Sequence, residues 1–268
     1  MDKEQLGLIP AERKLRIQKI IRSRGVVRVS NLVDVLGVSQ ITIRRDLEKL
    51  EEEGFLERTH GGAILSHRLQ LEPSFTEKNS INQEAKRLIG MAAAQLVEDG
   101  DTLLINSGST TLRIFPNLVG IKNLRVVTNN MGAFLETRGM DLELILTGGI
   151  FRGQSNSLVG SFAVRSIQKV VATKCFIGVD GISRKHGLTT PALQEAEVAR
   201  TMIDCTKGAV IVVADPSKLG VVSNFSTATI DQVNTLVTSK GVDDEYLADL
   251  EEEGIKVIIA PSSLDNSS

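Results

Sequence analysis

The stretch from Val38 to Ala63 restricts the fold of this chain more than any other, and it reads VSQITIRRDLEKLEEEGFLERTHGGA. Ser39 can cap a helix, because its hydroxyl can accept a hydrogen bond from a backbone N–H of the first turn. The helix can continue without glycine or proline to Glu53, and Gly54 then ends it. Apolar residues recur at helical spacing and form one stripe: Ile43, Leu47 and Leu50. The stretch therefore predicts an amphipathic helix.

Thr42, Arg45 and Lys49 lie on the side of this helix that faces away from the apolar stripe, together with Ile41. In a DNA-recognition helix the side chains near the N-terminus meet base edges in the major groove, and arginine can pair bidentately with guanine. An ordinary surface helix has the same pattern, and the acidic run Glu51–Glu53 would be repelled by DNA. The helix alone leaves both interpretations open.

A short hairpin is predicted after this helix. The β-prone run Phe55–Thr59 is separated from Ala63–Leu65 by His60, Gly61 and Gly62, and the two glycines can adopt positive φ at the tip. Arg58 and His60 would then lie where a wing beside the recognition helix meets the phosphate backbone.

The residues before this segment complete a helix-turn-helix pattern. The expected elements are, in chain order, a helix from Pro10 to Gly25, a strand over Val26–Val29, a helix over Asn31–Leu36 and a tight turn at Gly37. Ser30 is expected to cap the second helix. Helix, strand, helix, turn, helix and hairpin, in this order and at this spacing, are typical of a winged helix-turn-helix.

This region resembles the N-terminal winged helix of the DeoR family of bacterial transcriptional regulators, over GVVRVSNLVDVLGVSQITIRRDLEKLEEEGFLERTHGGAI. The positions that match the family's motif are Ser39, Thr42, Ile43, Arg44, Arg45, Asp46, Leu47, Leu50, Gly54, Arg58, His60, Gly61 and Gly62. The resemblance implies binding to double-stranded operator DNA. The residues predicted at that interface are Ser39, Gln40, Thr42, Arg44, Arg45, Lys49, Arg58, His60 and Gly61. Among them, Gln40, Thr42 and Arg45 are expected at base edges.

Net charge supports DNA binding only weakly. Residues 1–66 hold 12 Lys and Arg against 10 Asp and Glu, and the rest of the chain holds 19 against 23. A domain so evenly charged needs its basic residues on one face to hold DNA. The 268 residues give room for two domains, and no apolar run approaches the roughly 20 residues of a membrane helix. With no targeting pattern, the protein is expected in the cytoplasm.

Cys175 and Cys205 lack the CxxC spacing of a metal or redox site. They lie in what are predicted to be a core strand and a helix, so buried free thiols are favoured over a disulfide or a catalytic thiol. The chain also lacks the lysine of a nucleotide-binding P-loop. Neither a metal site nor a cofactor is predicted.

The stretch after the wing predicts a linker and then a second domain. Residues 67–81 are polar, contain Pro73 and lack periodicity. The predicted division is a DNA-binding domain over residues 1–66, a linker over 67–81 and an effector-binding domain over 82–268. A packing helix over Asn82–Val97 would open the effector-binding domain.

Short β-branched runs then alternate with helices, which is typical of a parallel α/β sheet covered on both faces. The strand-like runs are Thr102–Ile105, Leu124–Thr128, Leu142–Leu146, Lys174–Gly178, Ala209–Ala214, Thr235–Thr238 and Lys256–Ala260. The helical runs are Thr110–Leu118, Met131–Thr137, Ser161–Val171, Leu193–Thr206 and Asp243–Glu253.

Polar and glycine residues collect where the predicted strands end, and ligands of parallel sheets bind at that edge. The loop Ser107–Thr111 precedes a predicted helix, so its backbone N–H groups, its hydroxyls and the helix dipole would suit a phosphate. The predicted effector site comprises Ser107, Gly108, Ser109, Thr110, Thr111, Thr128, Asn129, Asn130, Gly148, Gly149, Asp180, Gly181, Glu195 and Lys218. The alternative is that these residues form helix caps and turns, as in any α/β protein.

This second half also resembles the DeoR family. The segments GDTLLINSGSTT, VVTNN, LTGG, IGVDGIS and VVADPSKLG look like successive loops of the family's effector domain. The resemblance implies a fold similar to ribose-5-phosphate isomerase and coenzyme A transferases, and a role in sensing phosphorylated sugars or sugar-pathway intermediates. The family commonly has Asp where this chain has Asn106, which puts in doubt any contact of that Asp to a sugar hydroxyl.

The sequence thus predicts a transcriptional regulator that responds to a phosphorylated sugar and is expected to be a repressor. It is expected to bind DNA as a homodimer or homotetramer and to have no membrane partner. The alternative is a sugar-phosphate isomerase-like enzyme with a fused DNA-binding domain. Asp180, Glu195 and Lys218 are of the types that such an enzyme could use for acid–base chemistry. His186 lies near one of the loops but is expected in an exposed turn.

Overall fold

The computed structural model describes residues 10–24, 26–52, 55–59, 61–65 and 72–261. The chain divides into two compact units, Met1–Leu71 and Glu72–Ser268. Gly54, predicted to end the recognition helix, and His60, predicted to contact DNA, lie outside the described residues.

The first unit combines helices with a small antiparallel sheet. Its described helices are α1 (Pro10–Arg24), α2 (Val29–Leu36) and α3 (Gln40–Glu52), and its strands are β1 (Val26–Arg28), β2 (Leu56–Thr59) and β3 (Gly62–Leu65). The strand order is β1-β3-β2, and β2 and β3 form a hairpin that pairs Leu56 with Leu65 and Thr59 with Gly62. The predicted winged helix-turn-helix is confirmed.

The predicted apolar stripe of α3 lies in the core of this unit. Ile43, Leu47 and Leu50 are fully buried. They share one cluster with residues from the other elements, among them Ile17, Ile21, Leu32, Leu36, Phe55 and Ala63. Removing the apolar area of such side chains from water is the main term that favours this small fold.

The start of α2 differs from the prediction. α2 begins at Val29, so Ser30 lies inside the helix, and the N-cap is Arg28, whose side chain makes no capping bond. β1 passes directly into α2, because the Val29 N–H donates instead to the carbonyl of Gly61 at 2.9 Å. The Gly61 carbonyl in the wing, rather than a serine side chain, therefore accepts a hydrogen bond from the first residue of α2.

The wing glycines also have another role than the one predicted. Neither Gly61 nor Gly62 has positive φ. A Cβ on Gly62 would lie 1.9 Å from the carbonyl oxygen of Val27 in β1. Glycine is required here because two strands approach closely, not because of a left-handed turn.

The second unit is an α/β fold. Its described helices are α4 (Phe75–Ser80), α5 (Gln83–Ala94), α6 (Ala133–Glu136), α7 (Ser161–Ile167), α8 (Leu193–Asp204) and α9 (Asp244–Glu252). Its strands are β4 (Thr102–Ile105), β5 (Arg125–Thr128), β6 (Glu143–Leu146), β7 (Ile150–Arg152), β8 (Ser157–Val159), β9 (Ala172–Gly178), β10 (Gly181–Ser183), β11 (Gly187–Thr190), β12 (Thr206–Val213), β13 (Phe225–Ala228), β14 (Thr235–Ser239) and β15 (Lys256–Ala260).

A seven-stranded parallel sheet, ordered β15-β14-β12-β9-β4-β5-β6, forms the centre of this unit. The seven predicted strands are these seven strands, within a few residues at each end. Alternate side chains enter two cores: Leu104 packs in a cluster that includes Met202 of α8, and Leu103 in one that includes Ile89 of α5. The sheet is therefore covered on both faces, as predicted.

Two smaller sheets were missed. β7 and β8 form a hairpin, and β10, β11 and β13 form an antiparallel sheet. The predicted helices over Met131–Thr137 and Ser161–Val171 are also shorter, as α6 and α7.

The predicted linker over residues 67–81 extended too far. Residues 75–80 form α4, whose start has a capping box: the Glu77 N–H donates to Ser74 Oγ and the Ser74 N–H to the Glu77 carboxylate. Phe75 packs against the core of the second unit. α4 is thus part of the second unit rather than of a linker.

The predicted helix over Thr110–Leu118 was wrong. Two short 3-10 turns, Thr111–Arg113 and Phe115–Asn117, stand in its place. Pro116 has no N–H to donate, which disfavours a continuous α-helix here. A phosphate at the preceding loop would therefore gain no α-helix dipole.

Candidate DNA interface and effector site

The N-terminus of α3 is fixed by two hydroxyls. The Thr42 N–H donates to Ser39 Oγ at 3.3 Å, which confirms the predicted cap, and Ser39 Oγ and Thr42 Oγ1 lie 2.9 Å apart. Of the other predicted contact residues on this helix, Gln40, Arg44, Arg45 and Lys49 are all exposed. The helix therefore presents polar and basic side chains to solvent over its first three turns.

The wing is held to α3 by two glutamates, one of which belongs to the acidic run Glu51–Glu53. Glu51 accepts a hydrogen bond from the backbone N–H of Arg58 at 2.9 Å, and Glu48 lies 3.6 Å from the Arg58 guanidinium. Arg58 remains exposed, and so does Gly61 at the tip. Part of the acidic run is thus used to position the wing.

Asp46 belongs to the matched motif but does not face solvent. It is buried and forms two hydrogen bonds to the guanidinium of Arg13 on α1. The Asp46 hydrogen bond raises the pKa of Arg13, against the smaller opposing effect of burial. This pair fixes the recognition helix against α1.

The predicted effector residues collect at one edge of the parallel sheet. β12, β9, β4, β5 and β6 are consecutive neighbours, and their carboxyl ends lead into Asp215–Lys218, Asp180, Ser107–Thr111, Asn129–Asn130 and Gly148–Gly149. Glu195 comes from the first turn of α8.

Several of these residues are already engaged in holding the loops. The Thr111 hydroxyl donates to the Asn106 carbonyl at 2.8 Å, and the Thr128 hydroxyl to the Ile105 carbonyl at 2.6 Å. Asn129 accepts from the Ser107 N–H at 2.7 Å, and Asn130 from the Gly132 N–H at 2.9 Å. These side chains hold the loops of the site in place.

The middle of the loop is different. Within the described part of the chain, the backbone N–H groups of Gly108, Ser109 and Thr110 make no hydrogen bond, and neither do the hydroxyls of Ser109 and Thr110. Three successive N–H groups with two hydroxyls are the kind of donors that bind an anion.

Three basic residues that the sequence did not predict lie near the predicted Lys218. Lys78 Nζ is 2.8 Å from Asp180 Oδ1, and Lys218 Nζ is 3.8 Å from the same oxygen. Lys86 Nζ donates to the Lys78 carbonyl. Arg113 donates to Asn79 at 2.9 Å through one nitrogen, whereas its buried Nε has no hydrogen-bond partner within the described residues.

The electrostatics of this basic cluster (Lys78, Lys86, Arg113 and Lys218) favour an anion. The pKa of Lys86 is lowered to about 8, chiefly by burial; Asp215 opposes this lowering, and the charges of Lys218, Lys78 and Arg113 add to it. Burial raises the pKa of Asp180, but Lys78 and Lys218 outweigh it and hold that pKa below its usual range. Asp180 and Asp215 act on these cations, and Glu72 and Glu195 also act on Lys78.

The sequence contained a signal for Lys86. It falls at i, i+3 and i+7 with Ile89 and Ala93, on the apolar side of α5, and it is 3% exposed. A lysine on a buried stripe is rarely a packing residue. Lys78 was missed because it was assigned to the linker.

Glu195 belongs to a second charged group at this edge. The Arg152 guanidinium, on β7, makes a bidentate pair with Glu72 and lies 3.3 Å from Glu195. Ser157 Oγ donates to Glu195 at 3.2 Å. The Gln154 carbonyl accepts from the Phe75 N–H at 2.7 Å. The β7–β8 hairpin thereby holds the start of α4.

Packing accounts for the glycines predicted in the site. A Cβ on Gly149 would lie 2.6 Å from the Val159 carbonyl oxygen, and one on Gly181 would lie 2.4 Å from that of Val221. Gly148 has φ +68°, a conformation that glycine tolerates best. These positions do not require a ligand to be explained.

Asn106 is explained by the strands on either side of it. Its amide nitrogen donates to the Gly178 carbonyl at 2.9 Å, and its amide oxygen accepts from the Gly178 N–H at 2.8 Å. An ionised Asp could accept but not donate. Asn106, at the position where the family commonly has Asp, therefore ties the end of β4 to the end of β9.

The two cysteines and His186 are the remaining residues considered for catalysis. Burial raises the pKa of the Cys175 thiol to about 12, so it is a poor nucleophile at neutral pH. Both cysteines are free; Cys175 is buried in β9 as predicted, but Cys205 follows α8 and is only half-buried. His186 lies in an exposed turn, as predicted. None of the helices in the described part of the chain has the length and apolar character needed to cross a bilayer.

The chain thus combines a winged helix, whose recognition helix exposes polar and basic side chains, with a parallel α/β unit whose polar loops and unused hydrogen-bond donors collect at one edge. Residues 13–68 match the DeoR-like helix-turn-helix domain family, and residues 81–240 match the DeoR C terminal sensor domain family. The chain belongs to the DeoR family of transcriptional regulators.

Two known relatives match nearly the whole chain in sequence. It is 32% identical over 251 residues to the HTH-type transcriptional regulator GlpR of Haloferax volcanii, covering 94% of this chain and 98% of that protein. It is 32% identical over 250 residues to the HTH-type transcriptional regulator IolR of Bacillus subtilis, covering 92% and 99%. Ribose 5-phosphate isomerase A of Methanocaldococcus jannaschii matches at 15% identity and a TM-score of 0.38, covering 52% and 55%.

Proposed function

We propose that this regulator represses a carbohydrate-metabolism operon and that a phosphorylated sugar or sugar-pathway intermediate controls its binding to DNA. The observation that supports the effector most is the set of unused donors at Gly108, Ser109 and Thr110, at the same edge of the sheet as a basic cluster that holds a buried lysine. Hydrogen bonds from backbone N–H groups and cations are the usual means of binding a phosphate. The regulator would be cytoplasmic and would bind operator DNA as a homodimer or homotetramer.

The phosphate would lie against the loop Gly108–Thr110, with Lys86 and Lys218 supplying charge. The sugar would contact the polar groups at the neighbouring strand ends, Asp180 among them. Lys78 would respond to ligand binding, because it pairs with Asp180, which lies at the same edge of the sheet as the Gly108–Thr110 loop.

Coupling to the DNA-binding unit would pass through α4. The contacts that hold this helix include Glu72 with Arg152 before it, Lys78 with Asp180 on it, and the Lys78 carbonyl with Lys86 after it. Residues 66–71 join α4 to the wing along the chain. A ligand that competes for Asp180 or Lys86 changes the contacts of α4, which is the differential interaction that coupling requires.

At the DNA, Gln40 and Arg45 would meet base edges, while Arg44, Lys49 and Arg58 would meet phosphates. Ser39 and Thr42 would act at the start of α3, where their hydroxyls already bond to each other. His60 and Gly61 would complete the contact at the wing tip. The wing's attachment through Glu51 supports this arrangement, because it fixes Arg58 beside the recognition helix.

A thermal-shift screen tests the effector proposal. Sugar phosphates of three to six carbons are compared with the same sugars unphosphorylated and with inorganic phosphate. We expect a phosphorylated compound to raise the melting temperature, since a ligand that binds only the folded state stabilises it by mass action. Equal shifts from phosphorylated and unphosphorylated sugars would contradict the proposal. Incubating the stabilising compound with the protein and assaying for product tests the isomerase alternative.

A further inference from the structure

The segment between Glu143 of β6 and Arg165 of α7 is almost free of charge. Residues 144–164 number 21 and contain one charged residue, Arg152, although 24% of the whole chain is charged. About five charges would be expected at that frequency. The guanidinium of Arg152 is directed to Glu72 and Glu195 rather than left in solvent. Depletion of charge is the compositional feature that distinguishes the centre of a protein interface from the rest of a surface.

The same segment exposes large apolar side chains. Ile150 is 62%, Phe151 57% and Phe162 69% exposed, and Ile145 on the neighbouring β6 is 37% exposed. We call these four residues the apolar surface. Isolated exposed apolar residues are common, whereas a continuous group of them marks a binding site.

Ile145, Ile150 and the first turn of α7, which contains Phe162, lie on the same face of the second unit. A Cβ on Gly160, the residue before α7, would lie 3.4 Å from Ile150 Cδ1, which places Ile150 beside the first turn of α7 where Phe162 lies. Ile150 is paired with Val159, and Ile145 with Val127. Val159 and Val127 belong to one core cluster. Phe151 follows Ile150 on β7, so its side chain projects from the other face of the same hairpin, beside the same strand edge.

Strand edges in this region are also open. Within the described residues, β7 pairs only with β8, and β6 only with β5. Proteins protect such edges with proline, outward charge or a covering element. β7 lacks proline, and the charge of Arg152 is used within the unit. An apolar strand with an open edge therefore favours a partner that covers it.

The size of the apolar surface fits self-association. With about 200 Å² for each large side chain, the four residues expose roughly 450 Å². A standard interface buries about 800 Å² per partner, of which roughly 65% is apolar in homodimers. The one charged group that the structure places against this surface is Arg165, whose guanidinium lies 5.5 Å from the centre of the Phe162 ring, so the surface does not offer the several charges that DNA or a strongly charged protein would need.

We propose that the apolar surface, Ile145, Ile150, Phe151 and Phe162, is where a second copy of this chain binds. The two copies would meet through the same patch, as an isologous dimer interface requires. The proposal rests on the proposed function only in that such a regulator needs a second copy to read a symmetric operator, and its test uses neither DNA nor effector.

The test is the molar mass of the full chain in solution, measured by light scattering after size-exclusion chromatography at micromolar concentration. We expect the parent to be a dimer or a larger assembly. A variant with both Phe151→Glu and Phe162→Glu should fall to a smaller species, the 29.0 kDa monomer if the parent is a dimer. Val119→Glu is the matched control, because Val119 is 68% exposed and lies outside the apolar surface, and it should keep the parent mass.

A milder variant covers the case in which the glutamates prevent folding. Phe151→Ser with Phe162→Ser removes apolar area without adding charge, and each change acts twice in an isologous interface. We expect the dissociation constant to weaken by at least about 100-fold. A parent that is monomeric over the whole concentration range, or a folded double variant that keeps the parent mass, would overturn the proposal. Both results are independent of whether any sugar phosphate binds.

Discussion

Lys86 is the residue whose surroundings differ most from those of an ordinary lysine. It is nearly inaccessible, its Nζ donates to the Lys78 carbonyl, and Asp215 is the acidic group that stabilises its charge. A buried cation that is only partly compensated costs stability in the free protein. Such a cost is reasonable if an anion binds there, because binding then supplies the missing charge.

The pKa of Lys86 predicts a pH effect on stability. Burial lowers this pKa from 10.5 to about 8, so between pH 8 and 10.5 the unfolded chain binds more protons at this lysine than the folded chain does. Stability therefore rises with pH in this window through Lys86. Relative to Lys86→Met, the parent should gain on the order of 1 kcal/mol between pH 7 and pH 9.

Denaturant unfolding at the two pH values checks this effect, followed by fluorescence of the single tyrosine, Tyr246, in the second unit. Burial raises the pKa of Tyr246, so the probe stays neutral at pH 9. A stability difference between parent and Lys86→Met that does not change with pH would show that Lys86 is solvated.

At the scale of elements, the recognition helix and its wing carry different kinds of DNA contact. Arg45 is exposed on α3, whereas Arg58 lies on β2 with Glu48 at 3.6 Å. A base contact gives sequence preference, and a phosphate contact gives salt-dependent affinity for any duplex.

Two alanine variants separate these contacts. Arg45→Ala should cost about 1–3 kcal/mol with duplexes selected by the protein from a random pool and should barely change binding to unrelated duplex. Arg58→Ala should weaken both and lower the salt slope by about one. Arg125→Ala, an exposed arginine of the second unit, is the control for loss of charge alone. Mobility shifts at several salt concentrations measure all three, and parent-like selectivity in Arg45→Ala would contradict the assignment.

α4 shows which elements the sequence could predict. The seven strands of the main sheet are short β-branched runs between polar turns, and their alternation with helices was readable. α4 has six residues and one large apolar side chain, Phe75, so periodicity could not reveal it. Its capping box, Ser74 and Glu77, was readable but is a weak signal without an apolar run after it. Lys78 was missed for the same reason.

The contacts of α4 predict a variant that separates effector binding from response. Glu72→Gln removes the charge that pairs with Arg152 but leaves the Gly108–Thr110 loop unchanged. Effector affinity should stay within about threefold, whereas the factor by which effector changes DNA affinity should fall. Glu98→Gln, which alters an exposed ion pair with Lys174, is the control. Calorimetry and DNA titrations give the two quantities, and full coupling in Glu72→Gln would exclude this route.

At the scale of the whole molecule, sheet topology decides which residues can act together. Asp180, Thr110 and Lys218 are far apart in the chain, but β9, β4 and β12 are neighbours, so their carboxyl ends meet at one edge. The parallel order of strands was predictable from the alternation of elements. The engagement of Thr111, Asn129 and Asn130 was not, since a hydroxyl or amide that holds a loop has the same sequence signature as one that holds a ligand.

The central claim is that a phosphorylated ligand bound at the Gly108–Thr110 loop changes DNA binding. Thr110→Val tests it most directly, because it keeps the side-chain shape and removes one unused hydroxyl. The measurement is fluorescence anisotropy of a selected duplex, titrated with the sugar phosphate that stabilises the parent, with Thr201→Val of α8 as control. All three proteins should bind DNA within about threefold without ligand. Thr110→Val should need roughly 10- to 100-fold more ligand for the response, as expected for a charge-assisted hydrogen bond. A parent-like response curve for Thr110→Val would contradict the claim.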